Sequence, residues 1–422
     1  MENKKTLYTH IHTMNNNHHQ TFLQDLAWRG LVYQKTNGIE RALQPGTTMY
    51  WGFDLTGESL HIGHLLGIVV LRRALNYGMR VIPMPAGGTT LIGDPSGKDA
   101  ERPLLSKQII ARNRRMLTKQ LLQLLPGKPP EVRVVDNADW LTKIGFIEFQ
   151  REVGKYFPIN TMLEKESVKT RLEREQGMSF AEFSYQLLQA YDFLVLFEKY
   201  KCTVQIAGSD QWGNMVQGVE LIRKRLGKQA YALSWPLIVN PVTGKKFGKT
   251  EEGESVWLDP AKTHPFKFYQ FFINCDDDMA PMLLRYFSFK SKNEIERIEQ
   301  LWNTDRGSRL LQKELAYELT AFVHGKIIAN RAQTITSILF EQNVKQLTLA
   351  DISFVKQALP YATISSSNTF SLEDALVTLG LSCSKSESKR LIAQNGVQDT
   401  VLFGTYHVIR KGKREYGIIE IT

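Results

Sequence analysis

Cysteine is nearly absent from this chain of 422 residues: only Cys202, Cys275 and Cys383 occur, far apart and with no Cys-x-x-Cys pair. That excludes a disulfide framework and a thiolate zinc site, and it suits a reducing compartment, so a cytoplasmic location is expected. No apolar run approaches the ~20 residues that a membrane-spanning helix needs. Residues 1–20 lack the apolar centre of a secretion signal. They hold four of the nine histidines, His10, His12, His18 and His19, around Asn15-Asn16-Asn17. A disordered extension is expected there rather than a metal-binding tail, because nothing in it can pack. Acidic residues are also in deficit, 43 against 53 Lys and Arg, giving a formal charge of +10 and a pI near 9.3. That balance suits a polyanionic partner such as RNA, although many basic proteins bind no nucleic acid.

Two common phosphate motifs are missing as well. A Walker A loop has about four residues between its first glycine and its Gly-Lys pair. Gly93 to Gly97 is one short, and Lys98 is followed by Asp99 where a hydroxyl should hold magnesium. Gly87, Gly88 and Gly93 do not form a dinucleotide fingerprint. Present instead is His61-Ile62-Gly63-His64, one turn after the apolar run 47–53 and at the head of an amphipathic stretch, 65–77. The pattern predicts a strand, a turn and a helix start, whose unpaired N–H groups and partial positive charge attract phosphate. His61 and His64 share one face of the first turn, and Gly63 lets a flat base approach the backbone. Those four letters alone fit an ordinary helix about as well. Far downstream, Lys246-Phe247-Gly248-Lys249-Thr250 follows the strand-like 237–239 in a polar loop. Two lysines around a flexible centre can close over a triphosphate and neutralise charge as pyrophosphate leaves. Alone, it reads as a solvated basic loop.

Along the chain, short apolar strands (80–84, 131–135, 203–207) alternate with amphipathic helices (65–77, 105–125, 180–200, 214–226). Such alternation predicts an α/β fold, a parallel sheet with helices on both faces and ligands at the strand carboxyl ends. From 265 to 339 the pattern is helical, and 341–370 loosens into polar sequence, a linker, before a last compact unit.

Five blocks then fall in one order: Tyr50-Trp51-Gly52-Phe53-Asp54 with His61 to His64; Leu91-Ile92-Gly93-Asp94 through Lys98; Phe183-Ser184-Tyr185 through Gln189-Ala190-Tyr191-Asp192; Gly208-Ser209-Asp210-Gln211-Trp212-Gly213-Asn214; and Lys246 to Thr250. The paired motifs resemble the HIGH and KMSKS signatures of class I aminoacyl-tRNA synthetases, and the blocks between them narrow the match to the tyrosyl-tRNA synthetase family. The resemblance runs from about Phe22 to the C-terminus, specific through 260 and sparse after 340. It implies a Rossmann-like catalytic domain (21–262), a helical domain (263–340), the linker (341–370) and a small α+β RNA-binding domain (371–422). It implies adenylation of L-tyrosine by ATP, with Mg2+ accompanying the ATP and no metal held by the protein, then transfer to tRNA, by a homodimer whose interface could include 145–157.

The resemblance also carries roles. Tyr50 and Asp192 would meet the substrate phenol. Tyr185, Gln189 and Asp94 would take the ammonium, and Gln211 would also touch the amino acid; Asn137 lies near that pocket. Gly52, Asp54 and Asp210 would line the ATP site, Asp210 at the ribose, with Gly63 and His64 at the adenosine end. Thr56 and His61 would meet the departing phosphates, joined by Lys98, Arg102, Lys246, Lys249 and Thr250. Residues 185, 189 and 192 share one helix face, consistent with a common pocket. Structural alternatives are strongest for Asp54 and Asn137, which could simply cap turns. Three positions depart from the family: Trp51 replaces a small residue beside the ribose, Leu55 replaces a proline, and the downstream loop reads Phe-Gly at its centre.

Residues 371–422 read as helix, helix and hairpin, similar to a small RNA-binding domain shared with a ribosomal protein, though without its Val-Asn-Gly turn. Their net charge is only +1, from seven Lys and Arg against six Asp and Glu. The cations are grouped instead: Lys385, Lys389 and Arg390 near one helix, Arg410, Lys411, Lys413 and Arg414 on the hairpin. These are the expected tRNA contacts; a solvated basic surface is the bland alternative. Three rival functions differ at named residues. A small-molecule nucleotidyltransferase shares the His-x-Gly-His helix but has no need of Asp192 facing Tyr50. A catalytically idle RNA-binding relative would have lost the lysines or histidines. A tryptophanyl enzyme has no phenol for Asp192 to meet.

Overall fold

The computed structural model describes residues 20–94, 104–164, 168–169, 172, 177–240, 244, 247–248, 253–341, 343–366, 370–412 and 415–422. The chain divides into two compact units, Met1–Gly248 with Arg285–Glu294, and Lys249–Leu284 with Ile295–Thr422. No helix among the described residues is long and apolar enough to cross a membrane.

The first unit is built on strands β1 (Gln34–Lys35), β2 (Thr48–Asp54), β3 (Arg80–Ala86), β4 (Cys202–Gly208) and β5 (Tyr231–Trp235), in the order β1-β5-β4-β2-β3. All pairs are parallel except β1 with β5. Met49, Tyr50 and Trp51 are buried in succession, as expected of a parallel strand covered on both faces. β3 and β4 flank β2 on opposite sides, so strand order reverses between β2 and β4, where Tyr50 stands opposite Gln205. Open α/β sheets bind their ligands at such a switch point.

The numbered helices of this unit are α1 (Phe22–Trp28), α2 (Ile62–Asn76), α3 (Lys107–Leu124), α4 (Phe180–Tyr200) and α5 (Trp212–Leu226). The bounds of α4 follow local chemistry: the Ser179 hydroxyl accepts from Glu182 N at its start, and Lys201 turns left-handed at its end. Two expected strands do not form. Residue Val132 makes only an isolated parallel bridge to Val81, because the chain leaves the sheet edge there. Asp136 Oδ1 then accepts from Gly87 N at 2.8 Å and Asn137 Oδ1 from Gly88 N at 2.7 Å. The stretch 237–239 follows Pro236, which has no N–H for a ladder, and belongs to no named strand.

Segment Arg285–Glu294 is fixed to this unit by two buried arginines. Arg29 donates to the carbonyls of Arg285 (2.9 Å) and Ser288 (3.0 Å), and Arg73, near the end of α2, to those of Tyr286 (2.9 Å) and Ser288. Asp25 accepts from Arg29 at 2.9 Å and balances the charge.

The second unit holds most of the helical stretch, whose elements are α6 (Pro265–Ile273), α7 (Ala280–Phe287), α8 (Lys292–Thr304), α9 (Leu310–His324) and α10 (Lys326–Phe340). The stretch expected as linker holds helix α11 (Leu349–Val355), with a Thr348/Asp351 capping box, and strand β6 (Tyr361–Ile364). β6 pairs in parallel with β9 (Glu415–Ile421), which continues through β8 (Tyr406–Lys411) to β7 (Val397–Leu402). Helices α12 (Leu372–Thr378) and α13 (Lys385–Ala393) lie between β6 and β7 in the chain, and the core of this piece joins Ala375, Leu376, Leu379 and Leu381 to Ile409 and Ile419.

Candidate active site

His61 is the N-cap of α2. Its Nδ1 accepts from Gly63 N at 3.0 Å, while His64 Nδ1 accepts from His61 N at 3.2 Å. With Nδ1 an acceptor in both rings, each neutral imidazole carries its proton on Nε2. Burial, then the neighbouring His61, pushes His64 well below the usual imidazole range. The rings lie 4.0 Å apart, and a Cβ on Gly63 would stand 2.7 Å from His61 Cε1, so only glycine leaves this cap intact. The two distant motifs meet here. The position a Cβ on Gly248 would take is 3.4 Å from Ile62 Cβ and 3.5 Å from Gly63 N.

Across the switch point lies a buried polar group. Asp192, only 1% exposed, accepts from Asn137 Nδ2 at 2.8 Å on one oxygen and from Trp140 Nε1 at 2.7 Å on the other. Burial pushes its carboxyl up to about 8, against the pull of those two donors. The Tyr50 hydroxyl is buried without a hydrogen-bond partner among the described residues, as are Gln189 Oε1 and Gln205 Oε1. Burial, with Asp192 nearby, raises the Tyr50 phenol well above its usual range. A buried hydroxyl left unpaired is costly, so this wall is complementary to a ligand bearing its own polar tip.

Asp54 organises the other end. Its Oδ1 accepts from Thr89 Oγ1 (3.1 Å) and Tyr185 OH (3.3 Å), and its Oδ2 from Asp94 N (3.2 Å). Gln211 Nε2 donates to Asp94 Oδ2, and Asn214 Nδ2 to Gln211 Oε1 at 3.3 Å. The result is an acidic, acceptor-rich corner suited to an ammonium group.

One cavity of about 430 Å³ brings together Tyr50, Gly52, Asp54, Thr56, His61, Gly63, His64, Asp94, Tyr185, Gln189, Asp192, Asp210 and Gln211, with Phe247 at its wall. Lys98, Arg102, Lys246, Lys249 and Thr250 lie outside the described residues, as do Lys413 and Arg414. Trp140, Thr89 and Gln205 escaped the sequence reading. Trp140 had a signal, an indole N–H one turn after Asn137, whereas Gln205 is brought in only by strand pairing.

Trp51 lines the same cavity, 4.8 Å from the Phe53 ring, and its indole also packs against α2, where a Cβ on Gly67 would come within 2.6 Å of Trp51 Cε2. Gly67→Ala is therefore expected to cost about 1–3 kcal/mol through overpacking, read as a lower urea midpoint followed by tryptophan fluorescence. Among the C-terminal cations, Lys385 on α13 pairs with Asp374 on α12, Lys411 in the sheet with Glu415 (3.2 Å), and Arg410 donates to Gln398 Oε1 (2.9 Å); Lys389 and Arg390 are exposed on α13.

This fold and this site define a class. Residues 43–341 match the family described as tRNA synthetases class I (W and Y), and the chain belongs to that family. Among its relatives, the tyrosine–tRNA ligase of Roseiflexus castenholzii is 42% identical over 95% of this chain and 99% of that protein. The tyrosine–tRNA ligase of Anaeromyxobacter dehalogenans is 41% identical over 95% of this chain and all of that protein, 100%. The solved structure of a C-terminally truncated mitochondrial tyrosyl-tRNA synthetase from Aspergillus nidulans superposes with a TM-score of 0.70 at 29% identity. The match covers 80% of this chain and 99% of that one.

Proposed function

We propose that this chain activates L-tyrosine with ATP to tyrosyl-AMP and transfers the tyrosyl group to the 3′ end of its cognate tRNA. The observation that carries the choice of tyrosine is the Asp192 carboxylate, held by Asn137 and Trp140 beside the unpaired Tyr50 hydroxyl. A phenol would donate to Asp192 and accept from Tyr50, satisfying both. The indole of tryptophan offers no such group. The ammonium would sit among Asp94, Tyr185 and Gln189, with Gln211 holding Asp94 in place. The carboxylate then attacks the α-phosphate in line and expels pyrophosphate. The Nε2–H of His61, with Thr56, would meet charge as it develops on the departing phosphates. Such preorganised donors act most strongly in the transition state. Gly52, Asp54, Asp210, Gly63 and His64 would bound the nucleotide. Lys98, Arg102, Lys246, Lys249 and Thr250 would close over its phosphates.

Among the described residues no group of three or more His, Cys, Asp or Glu stands ready for a metal; the Mg2+ in this reading arrives with ATP. The basic residues of 371–422 would grip tRNA, two chains would form a homodimer, and the cytoplasm supplies all three substrates. Pyrophosphate exchange across all twenty amino acids tests the activity, and exchange with any amino acid other than tyrosine as the best substrate would overturn it. Tyr50→Phe is expected to weaken selection of tyrosine over phenylalanine by about 1–3 kcal/mol, the range for a buried partner removed. An unchanged ratio of the two exchange rates would remove Tyr50 from the phenol site.

A further inference from the structure

Helix α3 has a sidedness that the proposed site does not use. No Asp or Glu occurs from Leu104 to Pro130, while Lys107, Arg112, Arg114, Arg115, Lys119 and Lys128 do. The inner face is spoken for: Ile110, Asn113, Leu117, Leu121 and Leu124 are buried. On the opposite ridge, at spacings of three and four residues, come Gln108, Arg112, Arg115, Lys119 and Gln123. Arg112 pairs with Glu58 at 3.2 Å, and Arg114, at the edge, with Asp136 at 2.9 Å. Lys107, Arg115 and Lys119 are exposed and have no ion-pair partner among the described residues. The charge order also runs against the helix dipole. Lys107 sits in the first turn, which holds no acid, and the last turn holds no base. Local helix stability therefore does not account for these cations.

The inner face of the same helix braces the turn that leads to His61. Asn113 Nδ2 donates to Leu55 O at 2.8 Å, and Leu60 N donates to Gln120 Oε1 at 2.8 Å. The ridge thus stands on the element that supports the phosphate end of the cavity.

We propose that this outer ridge of α3, together with the exposed Lys107 that flanks its start, is a second phosphate-backbone contact for tRNA, on the catalytic unit and separate from the C-terminal cations. The inference rests on the aminoacylation reading above. Charge complementarity chooses the partner: the ridge bears long cations and amides of one polarity, the groups that position a nucleic-acid backbone. From Gln108 to Gln123 it spans about 22 Å at 1.5 Å per residue, room for several phosphates. A membrane surface fits less well, because the main apolar face is buried in the protein and only Ile109 and Leu122, well apart, are large apolar residues exposed on this helix.

The test is the triple variant Lys107→Gln, Arg115→Gln, Lys119→Gln in the full chain. Tyrosine-dependent pyrophosphate exchange should match the unaltered protein, which also reports that the fold is intact. Binding of tRNA, titrated at several salt concentrations, should weaken by about tenfold at low salt, and the slope of log K against log salt should fall by about 2–3, as lost counterion release requires. Equal slope and affinity in the two proteins would overturn the proposal. So would loss of binding to phosphatidylserine vesicles with tRNA binding untouched. Absence of exchange in the unaltered chain would instead overturn the aminoacylation reading, while the salt titration still judges the ridge.

Discussion

Replacing Asp192 by asparagine is expected to lower kcat/KM for tyrosine activation by about 10²-fold or more. Trp140 Nε1–H and Asn137 Nδ2–H each donate to one Asp192 oxygen. Whichever way the new amide is turned, its NH2 group faces one of those donors, and a buried donor loses its partner. The phenol loses its acceptor, about 0.5–1.5 kcal/mol for an ordinary hydrogen bond, and the buried donor left without a partner costs about 1–3 kcal/mol more. Phenylalanine, which has no hydroxyl to place, should lose far less, so the tyrosine-to-phenylalanine ratio falls as well. Equal losses for both amino acids would assign Asp192 to structure alone.

The same variant has a signature in the ligand-free protein. Burial holds the folded Asp192 carboxyl up at about 8, against a usual 3.8. Between those values the folded chain binds more protons at this position than the unfolded chain does. This group therefore lowers stability as pH rises from about 4 to about 8. Asparagine does not titrate, so the variant's thermal midpoint should decline less between pH 5 and pH 8 than that of the unaltered protein.

His61→Ala is expected to slow adenylate formation by about 10²–10³, the scale for one lost transition-state donor. It also removes an N-cap, since His61 Nδ1 accepts from Gly63 N, and that costs about 1 kcal/mol of stability. His61→Asn separates the two effects. An asparagine oxygen can cap the helix but puts no N–H where Nε2 stood. The asparagine variant should therefore restore the thermal midpoint and leave the rate low in single-turnover quench experiments. Tyrosine affinity should hold in both variants, because His61 is not among the residues assigned to the tyrosine pocket. A variant that kept its rate while tyrosine binding collapsed would exchange the roles of the two ends.

Much of the site was legible because its chemistry is local in sequence. The His61 to His64 cap is set within four residues, and α4 starts and stops where Ser179 and Lys201 say it should. Placing Tyr185, Gln189 and Asp192 on one face required only the helical period. Other parts depend on distant pairing. Gln205 enters the cavity through its register with Tyr50, which no window of sequence contains. The capture of Ser288 by Arg29 and Arg73 joins residues more than two hundred positions apart, and single arginines leave no periodic mark. The missing strand at 131–135 had the right propensity, yet Asp136 and Asn137 found better partners in Gly87 and Gly88. The polar composition of 341–370 likewise hid β6, a short strand whose burial is partial and whose partner is the last strand in the chain.

That late partner bears on any attempt to excise the C-terminal piece. β6 supplies the neighbour that covers one side of β9, and Ile418 N also donates to Pro360 O at 2.8 Å. A fragment beginning at Ser371 would leave residues 418–421 of β9, with Ile418 and Ile419 among them, as a bare edge. An uncovered strand of that kind recruits other strands and aggregates. The excision point that keeps the sheet sealed lies upstream of Pro360.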